Sequence, residues 1–140
     1  MTLSFKFDPS KLGLRKVFNE YQELALHYLW EVGGDGVGSR KVWETVLERL
    51  TERKKVSRAS IIMFLEKLRK QGVLRHIEET SPGGHRKIYF PLMDEDEFVK
   101  HIAITMINSM LKDFPEVSEE FLESYRASGV ADSQMIVKKA

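Results

Sequence analysis

The sequence has no cysteine among its 140 residues. That removes disulfides and every thiolate site, whether zinc, iron–sulfur or nucleophilic. No apolar run approaches the roughly 20 residues needed to span a bilayer. The opening Met-Thr-Leu-Ser-Phe-Lys-Phe-Asp-Pro also lacks the apolar core of a signal peptide. The expectation is a cytoplasmic protein with no membrane partner. Net charge is nearly missing too, at +1, which argues at first against a polyanionic partner. What is present is ordinary globular composition. At 42% hydrophobic residues the chain is too apolar for disorder and large enough for one core without staples.

The small total hides a pattern. Residues 1–37 carry four basic and five acidic side chains, residues 38–92 thirteen and six, and residues 93–140 five and ten. The middle third is therefore a basic island of net +7 between acidic flanks. Such asymmetry suggests that one region meets a polyanion and another does something else.

Periodicity places the elements. Residues 1–16 read as an arm, with Phe5 and Phe7 alternating as in a short strand and Asp8-Pro9 resembling a helix start. A helical period runs from Val17 to Val32, with Val17, Tyr21, Leu24, Tyr28 and Val32 on one face. Gly33-Gly34-Asp35-Gly36 ends it. No Gly-Lys-Ser/Thr follows and no strand precedes, so this is a tight link rather than a phosphate loop. Ser39 is placed to cap a second helix with the stripe Val42, Val46, Leu47 and Leu50. Ser57 is placed to cap a third, Arg58 to Gln71, with the stripe Ile61, Phe64, Leu65 and Leu68. Gly72 suits the left-handed position that ends it. Two strands follow, Val73–Glu79 and Arg86–Leu92, around the loop Thr80-Ser81-Pro82-Gly83-Gly84-His85. Asp94 opens a long helix to about Asp113, and a last helix spans about Val117 to Ser128.

Two helices, a polar turn, a capped basic helix and a hairpin make a winged helix-turn-helix. The fold class expected is mainly α with a small β-hairpin wing and C-terminal dimerisation helices. The third helix can put its first turns into the major groove, where base edges are distinguishable. Ser57, Arg58, Ala59, Ser60, Ile62 and Met63 lie there, off the inner stripe, and are the candidates for base readout. Arg58 is the one long hydrogen-bonding side chain among them, and Ala59 and Met63 can touch thymine methyls. Ser39, Arg40, Lys54, Lys55 and Lys67, with His85, Arg86 and Lys87 at the wing tip, are the candidates for the phosphate backbone. The partner expected is double-stranded DNA.

From Phe98 to Phe114, ten of seventeen residues are apolar, too many for a helix with one narrow buried stripe. Val99, Ala103, Met106, Met110 and Phe114 recur at heptad-like spacing and are the candidate interface of a homodimer. Nothing points to catalysis, a metal or a cofactor. His27, His76, His85 and His101 show no ligand spacing, and the acidic pairs suit helix amino ends. No residue pattern identifies an effector ligand.

Several runs carry a family likeness. They are Glu23-Leu24-Ala25-Leu26-His27-Tyr28-Leu29-Trp30-Glu31, then Ser60-Ile61 with Leu65-Glu66-Lys67-Leu68-Arg69-Lys70-Gln71-Gly72-Val73-Leu74, then Lys87-Ile88-Tyr89-Phe90-Pro91-Leu92. Over roughly residues 17–110 the chain resembles the penicillinase-repressor (BlaI/MecI) family of winged-helix transcriptional repressors. The resemblance implies a homodimer joined through its C-terminal helices, each wing domain reading half of a palindrome. The periodicity and charge pattern divide the chain into an arm (1–16), a DNA-binding domain (17–93) and a dimerisation region (94–140). Ile62 and Met63 stand where relatives often carry polar residues and threonine, so base preference does not transfer. No Asn-Phe bond is present for the cleavage that inactivates penicillinase repressors, and the cysteines of copper-sensing relatives are missing. A winged-helix module for protein partners is the alternative, with Ile62 and Met63 as its apolar contacts.

Overall fold

The structure, a computed structural model, describes residues 3–51 and 55–128. It divides into two units, Met1–Val99 and Lys100–Ala140. The first holds α1 (Glu20–Val32), β1 (Val37–Gly38), α2 (Ser39–Arg49), α3 (Arg58–Lys70), β2 (Leu74–Ser81) and β3 (Gly84–Pro91). The division falls within α4 (Glu95–Asp113), and α5 (Pro115–Ala127) lies in the second unit.

Side chains satisfy free amides in the first turns of α1, α3 and α4. Asn19 caps α1, its side chain accepting from Gln22 N while Gln22 returns a bond to Asn19 N, a reciprocal capping box. The helix therefore begins three residues later than Val17. Its buried stripe is Ala25, Leu26 and Leu29, with Tyr21, Leu24 and Tyr28 half-buried beside it. Ser57 Oγ accepts from Ser60 N at 3.0 Å and caps α3 as expected. Ser39 does not cap α2: Gly38 holds the cap position in extended conformation and Ser39 is the first helical residue. In α2 the buried residues are Val42, Thr45 and Val46, and Leu47 is exposed.

The core is the meeting of three helices and a sheet. Ile61, Phe64, Leu65 and Leu68 of α3 are all buried, as their spacing predicts. They join Leu26, Leu29, Val42, Val46, Val73, Leu74 and Tyr89. Gly72 ends α3 at φ +79°, and Val73 N then bonds Leu68 O at 2.9 Å. The sheet is antiparallel in the order β1-β3-β2. Its hairpin is longer than the sequence suggested. Ser81 pairs with Gly84, so the turn is only Pro82-Gly83, and His85 sits in the ladder opposite Thr80.

The glycine link is packing, not ligand binding. Gly36 has φ +71°, and a Cβ there would lie 2.5 Å from the Phe90 ring and 2.7 Å from Ile88. Only glycine lets the chain pass this close to β3 on its way into β1. Among its described residues the amino-terminal arm forms no strand. Asp8 accepts from Ser10 N at 3.0 Å, a short side-chain turn, and the first helical residues are a single 3-10 turn, Gly13–Lys16. Leu3 and Leu14 are buried, Phe5 is half-buried and Phe7 is exposed, and Gln71 Nε2 donates to Ser4 O.

The first turn of α4 packs within the first unit, to which it belongs. Asp94 and Glu97 exchange capping bonds, the Trp30 indole donates to Met93 O at 2.8 Å, and Phe98 stacks on Phe18 at 5.6 Å. In the second unit, Pro115 occupies the first turn of α5, which buries none of its residues.

Candidate nucleic-acid interface

Three elements converge on one groove of about 530 Å³. The amino end of α2 supplies Gly38, Ser39, Arg40, Lys41 and Glu44, α3 supplies Arg58 and Ile62, and β3 supplies His85, Arg86, Lys87 and Tyr89. Five fixed cations thus face a single carboxylate. The groove exists because β1 pairs Val37 with Tyr89 and Gly38 with Ile88, which docks the start of α2 beside the wing.

The amino end of α2 suits an anion. Its first turn has no acidic residue and no side-chain cap, so no side chain competes with an anion for the positive end of the helix dipole beside Arg40 and Lys41. Arg40 and Lys41 are both exposed, and Arg40 pairs with Glu44 at 3.3 Å. Sequence reading passed over Lys41; its place in an acid-free first turn was the available signal.

The first turns of α3 face out as expected. Ser57, Arg58, Ala59 and Met63 are exposed, and Ser60 and Ile62 half-buried. Met63 is 73% exposed. The hydroxyls of Ser57 and Ser60 lie 2.9 Å apart. The Arg58 guanidinium reaches Ser39 Oγ at 3.4 Å, over the start of α2.

On the wing, His85, Arg86 and Lys87 are all exposed. Arg86 pairs across the hairpin with Glu79 at 3.1 Å, and His85 Nδ1 meets Thr80 Oγ1 at 3.3 Å. Lys55 and Lys67 are exposed but do not line the groove. Lys54 lies outside the described residues.

A hub beside the groove was not foreseen. The Glu66 carboxylate of α3 accepts from the Tyr89 hydroxyl at 2.7 Å and from Arg69 at 3.2 Å, with Lys87 Nζ 3.6 Å away. His76 Nδ1, buried without a hydrogen bond, lies 3.5 Å from the same carboxylate. Burial raises the Glu66 pKa, but the bonds from Tyr89 and Arg69 and the charges of Arg69 and Lys87 outweigh it and bring it to about 2. Burial and the same carboxylate push the Tyr89 phenol well above its usual range. The hub ties α3 to β3 and lies beside His76 of β2.

A second surface lies in the Lys100–Ala140 unit. Met106, Ile107 and Met110 of α4 and Val117, Phe121 and Leu122 of α5 line an apolar groove of about 410 Å³. Of the expected interface residues, Val99, Ala103, Met110 and Phe114 are exposed and Met106 is half-buried. Ile104, Ile107, Val117 and Phe121 add exposed apolar surface that sequence reading did not select.

Among the described residues no cluster of three or more His, Asp or Glu could hold a metal ion, and no helix is long and apolar enough to cross a membrane. The family model of penicillinase repressors matches residues 20–136. Among solved structures, a PadR family transcription regulator from Clostridium difficile R20291 is similar at a TM-score of 0.44 and 15% identity. That match covers 73% of this chain and 98% of the other. No curated protein matches significantly.

Proposed function

The chain belongs to the penicillinase repressor family, winged helix-turn-helix transcriptional regulators rather than enzymes, and we propose that it is a homodimeric repressor reading a palindromic operator. The observation that carries this is the groove of five cations and one carboxylate between α2, α3 and β3. In this reading residues 17–93 bind one half-site and residues 94–140 hold the dimer. The α3 residues Ser57, Arg58, Ala59, Ser60, Ile62 and Met63 enter the major groove. Arg58 suits a guanine edge, which accepts two hydrogen bonds from one guanidinium. The α2 amino end with Ser39, Arg40 and Lys41, and the wing with His85, Arg86 and Lys87, take the phosphates on either side, joined by Lys54, Lys55 and Lys67.

Two copies would cover the apolar groove of the second unit. Val99, Ala103, Met106, Met110 and Phe114 would lie on a self-complementary seam, as twofold symmetry requires.

Fluorescence anisotropy with duplex DNA across a salt series tests the reading. Neutralising about six phosphates gives a log–log slope near −5. A flat salt response, or no binding at low salt, overturns it. The second reading, a module for protein partners, draws on the exposed Met63 and its neighbour Ile62. A partner that stays bound after nuclease treatment favours that reading.

A further inference from the structure

The polar groups on the outer face of α3 are mostly engaged elsewhere. The Ser57 and Ser60 hydroxyls face each other in the helix cap, and Glu66 is held by Tyr89 and Arg69. On its first turns what remains toward a duplex, apart from Arg58, is carbon and sulfur: Ala59, Ile62 and Met63. This apolar strip is not an isolated sticky patch, because its Ile62 edge lines the groove that holds the cations of the α2 start and the wing. They favour a polyanion whose reading edge is itself partly apolar.

The major groove has one apolar group, the 5-methyl of thymine. A strip of Ala, Ile and Met against cytosine N4 or guanine O6 would bury a polar group without a partner, at a penalty. Against thymine methyls it gains contact instead. Resting on the reading of the chain as a sequence-specific DNA-binding repressor, we infer that Ala59, Ile62 and Met63 select half-sites by their thymine 5-methyl groups. Met63, the most exposed of the three, is the principal contact. Cytosine methylated at carbon 5 presents the same group at the same ring position. It therefore binds more tightly than plain cytosine at contacted positions, through the same methyl contact, while its N4 amine keeps the penalty that plain cytosine pays.

The test uses the full chain and random duplex libraries made with thymine or with uracil, which pairs identically and lacks only the methyl. Duplexes enriched from the thymine library are remade with uracil at each enriched position. Each contacted methyl lost weakens binding about fourfold. The Met63→Ala protein, changed at an exposed position and checked for native helicity, shows a smaller loss at one position per half-site. Equal binding of thymine and uracil duplexes by the unaltered protein overturns the inference and leaves DNA recognition standing. An undiminished uracil effect in Met63→Ala overturns the assignment to Met63. Enrichment of no sequence from either library overturns the proposed function itself.

Discussion

Glu66→Gln keeps the size of the side chain at the hub and removes its charge. In the folded protein the carboxyl pKa lies at about 2 against an ordinary 4.5. A folded pKa below the unfolded one gives stability that is present above about pH 4.5 and lost as pH falls toward 2. Taken at face value the difference corresponds to about 3 kcal/mol. The side chain is 21% exposed, and solvent screening brings the expected contribution to about 1–2 kcal/mol. Tyr89 and Arg69 would still find an amide oxygen in the variant, which keeps the loss at the lower end of that range. Urea unfolding of both proteins at one fixed chain concentration measures the difference. At pH 7 Glu66→Gln should be less stable by about 1–2 kcal/mol, and the gap should shrink to less than half by about pH 3. A gap of the same size at both pH values would show that the charge of Glu66 contributes nothing and that the amide merely packs worse.

Other outcomes follow from the same geometry. Gly36→Ala must fit a Cβ at φ +71° and 2.5 Å from Phe90, and should lose about 2–4 kcal/mol in thermal or urea unfolding. Lys41→Ala should weaken binding to all duplexes alike and reduce the salt slope by about 1, whereas Arg58→Ala should chiefly reduce discrimination between sites. Met110→Glu puts a charge in the apolar groove of the second unit. Sedimentation should show dimerisation weakened about 100-fold or more, and an unchanged dimer would move the interface elsewhere.

Reading by period succeeded where one periodic stripe decides the burial. In α3 the residues at Ile61, Phe64, Leu65 and Leu68 were legible because four large apolar side chains share one arc. It failed in α2, where Thr45 takes an inner place and Leu47 an outer one. A threonine is small enough to be buried and a leucine is tolerated outside, so composition outvotes geometry in such a helix. The cap of α2 was misplaced for a related reason. Ser39 has the chemistry of a cap, but the pairing of Val37 and Gly38 with β3 sets where the strand ends and the helix begins. Cross-strand pairing also set the hairpin, extending both strands toward a two-residue Pro82-Gly83 turn.

Glu66 shows what periodicity cannot reach. By helical spacing it is an outward residue in a basic helix, where an acid reads as routine charge pairing with Arg69. Its other partners lie on different elements: Tyr89 and Lys87 on β3, His76 on β2. They meet it only because His76 pairs with Tyr89 across the hairpin and β3 lies against the helical core. An acid beside a surface that meets phosphates would ordinarily oppose binding. Here Arg69 and Lys87 neutralise it, and the Tyr89 hydroxyl and partial burial turn its field inward. The carboxylate can therefore fix the wing strands against α3 while the groove keeps its five cations. Neutralising Glu66 should accordingly release Lys87 and raise affinity for non-specific duplexes. The same change loosens the wing and lowers the ratio between specific and non-specific sites, and a rise in both affinity and discrimination would contradict this division of roles.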